Sequence, residues 1–430
     1  MLQTRYSNAI CILTYINHTH FHEDSLKSDF YEMLSTPMKG WRQMTVGKKP
    51  LMMIVYGTRP EAIKCAPIIQ AFQNADDLDC SVVLTGQHPD MVAPINTGFN
   101  IQEDVNLDIF AYRQGLSEIA AKTMTRLTPV LQNRHPTAVF VQGDTTSALA
   151  AGLSAFYEGV PVIHIEAGLR TESITSPFPE EGNRRLLSQI ASLHLAATQG
   201  NRENLLRSDI SDMNIFVTGN PVIDALHIAV NMPHNISEKA IADLVAGDRQ
   251  LILVTSHRRE SWGDPMRNIA EALRRLAMQE PDISFIFPLH ANPAIREYFV
   301  PVLSEFPNVV FVEPLEYFDL AKLLARVKIV LTDSGGLQEE APALGKPVLV
   351  LRQNTERPEG VSAGTTELVG HDVELIVQRT TALLHDPNEY ERMAHAVNPY
   401  GDGKAAERTL SVIRNWLAIG ATVQGFTTEH

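Results

Sequence analysis

The sequence predicts an α/β protein made of two doubly wound, Rossmann-like domains that face a central cleft. Three observations favour this fold class. Short β-branched apolar runs alternate with stretches of helical periodicity, as in parallel sheets covered by helices. The alternation begins at Leu51, continues to about residue 218, and restarts near Gln250. The chain has 430 residues, which is enough for two such domains.

The first domain is predicted from six strands with helices between them. Its strands are expected at residues 51–56, 80–85, 138–142, 160–165, 193–197 and 215–218, and its helices near 61–74, 116–134, 146–157 and 182–191. In the second domain, strands are expected at 250–255, 283–288, 309–312, 329–332 and 347–351, and helices near 266–279, 317–325, 336–343 and 373–384. Ligands bind such sheets at the carboxyl ends of their strands, so residues that follow strands are the first site candidates.

The domain boundaries follow from these patterns. We expect a first domain over residues 49–218, a second over 219–403, and a C-terminal helix at about 404–420 that packs back on the first. The segment GNPVIDAL is placed where the chain crosses between them. Residues 1–48 are polar, rich in His, Ser and Thr, and lack a sustained period. We expect a disordered or non-native extension there, the alternatives being a specific appendage or a later translation start.

Composition argues against several classes of function. The chain carries 36 Lys and Arg against 50 Asp and Glu, a net charge of −14. No basic face is evident, so neither a nucleic acid nor an anionic membrane is expected as a partner. Cys11, Cys65 and Cys80 have no metal-binding spacing, which indicates a reduced, cytoplasmic setting and implies no metal site. No apolar run reaches the ~18 residues of a membrane span, and the N-terminus is a poor signal peptide.

The stretch TDSGGLQEE follows a predicted strand and opens a predicted helix. One interpretation is structural, with Asp333 or Ser334 capping the helix and the glycines relieving a tight turn. The other is a phosphate cradle, in which Ser334, Gly335 and Gly336 offer backbone N–H groups to a diphosphate. Glu340 would then lie about 9 Å further along the helix axis, a depth suited to the hydroxyls of a ribose.

Other charged side chains also follow predicted strands. In MIVYGTRPEAIK, Arg59 and Lys64 are either solvated cations or an anion site. In VFVQGDTTSALAAG, Asp144 is either a helix N-cap or a site carboxylate. In PVIHIEAGLRT, Glu166 ends a buried strand, where an ionised carboxylate is costly unless it is paired or used. Arg170 is a candidate structural partner for it.

Two further segments complete the set. SPFPEEGNRRLL offers Glu180 before a helix, and LVTSHRRESWG places His257 after a strand. Carboxylates that lie near one another and away from water acquire separated pKa values, which suits them to move protons. Proton transfer beside a bound diphosphate is therefore the chemistry that Asp144, Glu166, Glu180 and His257 would support.

Eight motifs carry a family resemblance. They are GTRPEAIK, TGQH, QGDTTSA, IEAGLRT, PEEGNRR, TGNPVID, SHRRES and TDSGGLQEEAPALGKPVLVLRQNTERPEG. From about Leu51 to near residue 415, the sequence resembles the non-hydrolysing UDP-N-acetylglucosamine 2-epimerases of bacteria. Many separate motifs in the family's order make this resemblance specific.

The resemblance implies a glycosyltransferase-B-like fold with the active site between two domains. It implies reversible conversion of UDP-N-acetylglucosamine (UDP-GlcNAc) to UDP-N-acetylmannosamine (UDP-ManNAc) without a cofactor. The proton at carbon 2 of the sugar is removed and UDP is expelled to give 2-acetamidoglucal, after which UDP adds back. The product would supply ManNAc-type sugars for cell-surface polysaccharides, and a homodimer is implied.

The resemblance also implies roles for individual residues. The implied acid and base groups are Asp144, Glu166 and Glu180, with His257 assisting the departure and return of UDP. The implied substrate-binding residues are Arg59, Lys64, Ser334, Gly335, Gly336, Glu340 and Arg357. The sequence leaves open which carboxylate removes the proton and which returns it.

The sequence departs from the family pattern near a second sugar-nucleotide site that activates many members. The candidate contacts there are Gln87, His88, Arg258 and His290. Pro89 and Asp90 stand where basic or amide residues are expected, and an acid beside a diphosphate is unfavourable. We therefore expect this activation to be lost or altered. Leu315 replaces a Gln that some members carry near the uracil, which leaves the base contacts open.

Three alternatives remain at this point. A glycosyltransferase of the same fold would need an acceptor site and would not need three facing carboxylates. A hydrolysing 2-epimerase is often fused to a sugar-kinase domain, which no part of this sequence fits. A catalytically idle UDP-sugar sensor would have no use for the intact set of three carboxylates and a histidine.

Overall fold

The computed structural model describes residues 48–258, 261–290, 292–420 and 425–428. These residues form two α/β domains with parallel sheets, which confirms the predicted fold class. Both domains belong to one compact unit that starts at Lys49. The predicted extension lies outside the described residues except for Lys48. No helix among the described residues is long and apolar enough to cross a membrane.

The first sheet contains seven parallel strands within the described residues. They are β1 (Leu51–Tyr56), β2 (Asp79–Leu84), β3 (Val105–Asn106), β4 (Ala138–Gln142), β5 (Val162–Ala167), β6 (Leu193–Ala196) and β7 (Ile215–Val217). Their order across the sheet is β3-β2-β1-β4-β5-β6-β7. Met52 pairs with Cys80 of β2 on one side and with Ala138 of β4 on the other. The strand order reverses between β1 and β4, so a crevice opens outside their carboxyl ends.

The second sheet repeats this topology with six strands in the part of the chain that the structure describes. They are β8 (Gln250–Thr255), β9 (Ile283–Pro288), β10 (Val309–Val312), β11 (Ile329–Thr332), β12 (Val348–Val350) and β13 (Thr366–Leu368). Their order is β10-β9-β8-β11-β12-β13. Leu253 pairs with Ile286 of β9 and with Val330 of β11. The second reversal therefore lies between β8 and β11.

Sixteen α-helices of the described residues connect and cover these strands. They are α1 (Arg59–Gln73), α2 (Pro89–Gly98), α3 (Leu116–Arg134), α4 (Thr146–Tyr157), α5 (Glu180–Ile190), α6 (Gln199–Leu206), α7 (Pro221–Asn231), α8 (Lys239–Ala246), α9 (Asp264–Gln279), α10 (Pro293–Leu303), α11 (Tyr317–Arg326), α12 (Leu337–Ala343), α13 (Pro358–Ala363), α14 (Val373–His385), α15 (Pro387–Ala394) and α16 (Ala405–Trp416). Seven of them, α2, α6, α7, α8, α10, α13 and α15, were not predicted. Five of these seven begin with proline. Proline suits the first helical position because the N–H that it lacks would have no partner inside the helix.

The central strand β1 shows why both faces of the first sheet are apolar. Met52, Ile54 and Tyr56 pack into one hydrophobic cluster, and the alternate residues Met53 and Val55 pack into another. Successive side chains of a strand point to opposite faces, and a parallel sheet carries helices on both. A continuous apolar run is therefore required at β1, and this run is the signal that predicted the strand.

The chain crosses between the domains at two places that lie side by side. The N–H of Asn220, just after β7, donates to the carbonyl of Tyr400 at 2.7 Å. Gly219 has φ +85°, and a Cβ there would lie 3.4 Å from the Cα of Gly401. Beyond the second crossing, α16 packs against α1 and α7. The two crossings therefore form one joint between the domains.

Candidate active site

The charged segments found in the sequence lie at the two points where strand order reverses. In the first domain, β1 leads into α1 with Arg59 and Lys64, and β4 leads into Gly143 and Asp144. The neighbouring strand β5 supplies Glu166. Gly143 has φ +69°, a conformation that lets the chain turn sharply before Asp144. Carboxyl ends of adjacent parallel strands meet at one edge, which explains why these residues converge.

Glu166 accepts hydrogen bonds from three side chains among the described residues. Lys64 Nζ donates to its two oxygens at 2.5 and 2.7 Å, Gln142 Nε2 at 2.6 Å and Asn220 Nδ2 at 3.0 Å. Burial alone would raise the pKa of the Glu166 carboxyl, but Lys64, Arg357 and the Asn220 amide together outweigh burial and hold that pKa below its usual range. Burial likewise disfavours the charge on Lys64, while Glu166 leaves the Lys64 pKa above its usual value. Glu166 is therefore an ionised carboxylate in a buried ion pair.

A bulge in β5 gives Glu166 its direction. The pairing with β6 shifts between Ile165 and Ala167, and Glu166 itself has φ +61°. Left-handed backbone is uncommon for a residue with a side chain, and a bulge turns the side chain away from the regular alternation of the strand. The local backbone thus directs the Glu166 carboxylate toward Lys64 instead of into the apolar core.

Asp144 lies in a different electrostatic environment. Its carboxylate pairs with Arg184 of α5, with 2.7 Å between Oδ2 and Nη2. Burial raises the pKa of the Asp144 carboxyl above its usual value, Arg184 opposes this, and the negative charges of Glu166 and Glu180 add to it. The three carboxylates therefore lie close enough to influence one another. The pKa values of Asp144 and Glu166 move in opposite directions, which is the arrangement that acid and base pairs require.

Two structural interpretations of these residues are wrong. Asp144 does not cap α4, because Thr145 occupies the N-cap position and its hydroxyl accepts a backbone N–H at 3.0 Å. Arg170 is not the partner of Glu166, because its guanidinium donates to Ser188 Oγ at 2.9 Å. The simplest structural explanations for Asp144 and Glu166 are therefore excluded.

At the reversal point of the second domain, Asp333 organises the turn after β8. Its Oδ2 accepts the backbone N–H of His257 at 2.7 Å and that of Arg258 at 2.9 Å, and His257 Nδ1 lies 3.1 Å from Oδ1. Burial opposes ionisation of Asp333, but the bonds from His257 hold the pKa of that carboxyl below its usual range. The exposed His290 ring stacks on the His257 ring at 5.8 Å. His257 Nε2 is consequently the nitrogen that points away from Asp333.

The Ser-Gly-Gly turn leads from β11 to α12. Gly336 occupies the N-cap position, so the interpretation in which Asp333 or Ser334 caps the helix is wrong. Gly336 has φ −63°, and Gly335 also lies outside the left-handed region. A Cβ at Gly335 would find its nearest neighbour, Arg258 Nη2, at 3.7 Å, and one at Gly336 would find Glu340 Oε2 at 3.6 Å. Neither the backbone nor the packing requires glycine here, so the two glycines leave open backbone that a ligand can approach.

A chain of polar contacts joins the two reversal points. Asn220 Nδ2 donates to Glu339 Oε2 at 2.7 Å as well as to Glu166, and Arg357 Nε pairs with Glu339. Burial disfavours the charge on Arg357, but Glu339 and Glu166 raise its pKa above the usual value. We call this set of residues the inter-domain network: Lys64, Glu166, Asn220, Glu339 and Arg357. It brings the carboxyl edges of both sheets to one cleft.

The remaining sequence candidates lie at the margins of this cleft. Burial and the neighbouring Glu339 raise the pKa of Glu340 to about 7, against the positive charges of Lys64 and Arg59. The Arg59 side chain is exposed. Gln87 Oε1 accepts from Ser147 Oγ at 2.6 Å. The exposed His88 precedes α2, whose first turn contains Pro89 and Asp90.

The sequence patterns did not predict the roles of several residues that hold these groups in place. They are Gln142, Arg184, Asn220, Asp333 as a ligand of the His257 turn, and Glu339. A usable signal was present for three of them. Gln142 ends β4, and Asn220 and Asp333 follow β7 and β11, so polar residues at strand ends contain the signal even when they are uncharged.

A family model described as UDP-N-acetylglucosamine 2-epimerase matches residues 70–414. The chain belongs to the UDP-N-acetylglucosamine 2-epimerase family. Within it, the enzyme of Escherichia coli K12 is 45% identical over 370 residues, which cover 85% of this chain and 98% of that protein. The enzyme of Bacillus subtilis 168 is 45% identical over 361 residues, covering 84% of this chain and 94% of that one. The resemblance seen in the sequence is thereby confirmed.

Solved structures of UDP-N-acetylglucosamine 2-epimerases share the fold. The Neisseria meningitidis epimerase bound to UDP-GlcNAc superposes with a TM-score of 0.75 at 42% identity, covering 85% of this chain and 100% of that one. A putative epimerase from Listeria monocytogenes gives a TM-score of 0.84 at 40% identity, covering 88% of this chain and 100% of that one. A glycosyltransferase from Rickettsia africae shares the fold alone, with a TM-score of 0.57 at 11% identity, covering 86% and 99% of the two chains.

Proposed function

We propose that this protein interconverts UDP-GlcNAc and UDP-ManNAc by epimerisation at carbon 2, and that it is of the non-hydrolysing type. One observation carries the proposal: proton-transfer groups and a diphosphate-type turn, supplied by different domains, meet at one cleft. The inter-domain network connects these two sets through Asn220, which contacts Glu166 of the first and Glu339 of the second. A glycosyltransferase would need the diphosphate turn but not the facing carboxylates.

The second domain would bind the UDP part of the substrate. The open backbone at Gly335 and Gly336 suits close approach of phosphate oxygens. Arg357 and Arg59 would add positive charge, and guanidinium groups match phosphate geometry well. Glu340, partly buried at the start of α12, would accept hydrogen bonds from ribose hydroxyls. These contacts would keep UDP in the cleft while its bond to the sugar is broken.

The first domain would move the proton. Removal of the carbon-2 proton leaves its electron pair to form a double bond between carbons 1 and 2, and the bond from carbon 1 to UDP breaks. UDP then adds back to carbon 1, and a proton returns to the other face of carbon 2. Glu166, held ionised by Lys64, is suited to accept a proton. Asp144, whose pKa is raised, is suited to deliver one, and the reverse reaction would exchange these roles.

His257 would act on the leaving UDP. Asp333 fixes the position of the imidazole, and Nε2 points away from it. A hydrogen bond donated from Nε2 would then stabilise the negative charge that develops on the departing phosphate oxygen. Glu180 would contribute through its charge on Asp144. The family membership also supports a homodimer, which light scattering after size exclusion would measure.

The experiment that tests this proposal is proton NMR of UDP-GlcNAc with the purified protein in deuterated water. We expect UDP-ManNAc carrying deuterium at carbon 2, with little free UDP. Free ManNAc together with UDP would instead establish the hydrolysing reaction. The proposal would be overturned if the spectrum stayed unchanged under conditions in which the protein binds UDP. That result would favour a transferase or a sensor.

Gly335→Ala tests the role of the Ser-Gly-Gly turn. The nearest neighbour of the added methyl would be Arg258 Nη2 at 3.7 Å, so we expect unfolding to be unchanged. UDP affinity should fall about tenfold or more, because the methyl occupies space that a phosphate would need. Calorimetric titration with UDP measures the affinity. Gly115→Ala is the matched control, since a Cβ at Gly115 would also meet open space. Equal UDP affinity in both variants would exclude a diphosphate at Gly335.

A further inference from the structure

Asn220 makes contacts to which the proposed reaction assigns no role. It is only 1% exposed, and its side chain is engaged on every side. Its amide nitrogen donates to Glu166 Oε1 at 3.0 Å and to Glu339 Oε2 at 2.7 Å. Its amide oxygen accepts the N–H of Val222 at 3.2 Å and so caps α7. Both amide hydrogens and the oxygen are therefore used, and the two hydrogens go to carboxylates of different domains.

The chemistry of this position requires an amide. Two carboxylates that converge on one point repel each other unless hydrogen-bond donors lie between them. A primary amide supplies two donors and still has an acceptor for the helix cap. Serine is an equally good helix cap, but its hydroxyl has one hydrogen and is too short to bridge. Aspartate would cap the helix and add a third negative charge.

The charged and titratable groups around Glu166 come from several elements. They are Lys64 and Cys65 of α1, Asp144 after β4, His164 of β5, Arg357 before α13, and Glu339 of α12 across Asn220. Lys64 and Arg357 favour the ionised form of Glu166, and the carboxylates oppose it. Asn220 is the neutral group that both favours ionisation and separates Glu166 from Glu339.

The location of Asn220 gives these contacts a second consequence. Its backbone N–H donates to Tyr400 at the point where both chain crossings meet. Glu339 is the partner of Arg357, which is a proposed phosphate ligand. A change at Arg357 on nucleotide binding would therefore reach Glu166 through a path of only two residues, Glu339 and Asn220.

We propose that Asn220 is a positioning residue that bridges Glu166 and Glu339 and fixes the orientation of Glu166 relative to the Glu339–Arg357 pair. This inference rests on the proposed function, in which Glu166 exchanges the carbon-2 proton. Asn220 does not touch the reacting atoms. It acts through Glu166, and its effect is therefore on the pH range in which the enzyme works.

Asn220→Ser tests this inference because it keeps the helix cap and removes the bridge. We expect the acid limb of the kcat/KM profile to move up by about one pH unit, since a charge-assisted hydrogen bond to Glu166 is lost. On that limb kcat/KM should fall about tenfold, and it should recover toward the wild-type value as the pH is raised. Asn220→Asp should move the limb further, because a like charge then faces Glu166.

Asn292→Ser is the matched control. Asn292 also precedes a proline and caps its helix, α10, through its amide oxygen, with 3.1 Å to the N–H of Ala294. Its profile should equal that of the wild type. If Asn220→Ser lowered kcat/KM by the same factor at every pH, Asn220 would be structural only. An unshifted, fully active Asn220→Ser variant would overturn the inference as well.

A second measurement separates this inference from the proposed function. Carbon-13 NMR of the glutamate-labelled protein reports the Glu166 carboxyl directly, and the signal is assigned by its loss in Glu166→Gln. We expect the pKa of Glu166 to be about one unit higher in Asn220→Ser than in the wild type. Equal pKa values would overturn the role of Asn220. If the wild type failed to epimerise but the pKa values differed, only the proposed function would fail.

Discussion

Asp144→Asn is expected to reduce kcat by about 10²–10⁴-fold while UDP still binds. The amide has the shape of the carboxylate but cannot hold and release a proton at neutral pH. The nucleotide contacts lie in the second domain and should not sense the change. Turnover is measured by NMR of the sugar signals and UDP affinity by calorimetry. Loss of deuterium exchange at carbon 2 would show that the defect lies in proton transfer.

Asp212→Asn is the matched control for this variant. Asp212 also pairs with an arginine, Arg202, at 2.5 Å, but on the protein surface. Its replacement should leave turnover unchanged. Full activity of Asp144→Asn would remove Asp144 from the mechanism. If UDP affinity fell together with kcat, the Asp144–Arg184 pair would be structural.

Lys64→Met is expected to lower the free energy of unfolding at pH 8 by about 3 kcal/mol, because it leaves Glu166 as an unpaired buried charge. The two side chains are only 17% and 6% exposed, so solvent screens the pair weakly. Methionine fills most of the volume of the lysine stem, which limits the loss of packing. Urea unfolding followed by circular dichroism measures the effect. The double variant Lys64→Met/Glu166→Gln should recover part of the loss.

The pH dependence identifies the cause of this loss. In the wild type the pKa of Glu166 lies below its usual value, so the ion pair stabilises the fold fully above that usual value and less as pH falls through the lowered pKa. Without Lys64, burial should raise the Glu166 pKa above the usual value. The loss should then be smaller at pH 5 than at pH 8, because it grows as pH rises from the usual value toward the raised pKa and levels off above it. A deficit that is equal at pH 5 and pH 8 would mean that the burial of an unpaired Glu166 charge does not explain it.

The strands were predictable because burial on both faces leaves a continuous apolar run. The run at Leu51–Tyr56 contains six residues with no polar side chain except the hydroxyl of Tyr56. The strands at Val105–Asn106 and Thr366–Leu368 are two and three residues long and contain polar residues, so neither shows a continuous apolar run. The helix at Pro221–Asn231 was not predicted because its first residues were interpreted only as the crossing between the domains, although Pro221 suits a first helical position.

The site was predictable as a set of residues but not as a set of pairs. Charged residues after strands must gather at one sheet edge, so their types and positions follow from the pattern. Lys64 and Glu166 are 102 residues apart and Asn220 and Glu339 are 119 apart, and no local pattern encodes such pairings. The contacts of Glu61 could not be predicted either, because in the sequence it resembles an ordinary acidic residue in the first turn of a helix. Its carboxylate is buried and accepts two backbone N–H groups and a threonine hydroxyl.

The return of α16 to the first domain has a consequence for the order in which the protein is made. Arg414 of α16 pairs with Asp77, which follows α1, at 2.7 and 2.8 Å. On the ribosome, every strand of the first sheet emerges before this helix exists, and the apolar surface of α1 that it covers stays open while the whole second domain is synthesised. The first domain is therefore begun first and finished last. Its folding is complete only when the second domain is already present beside it.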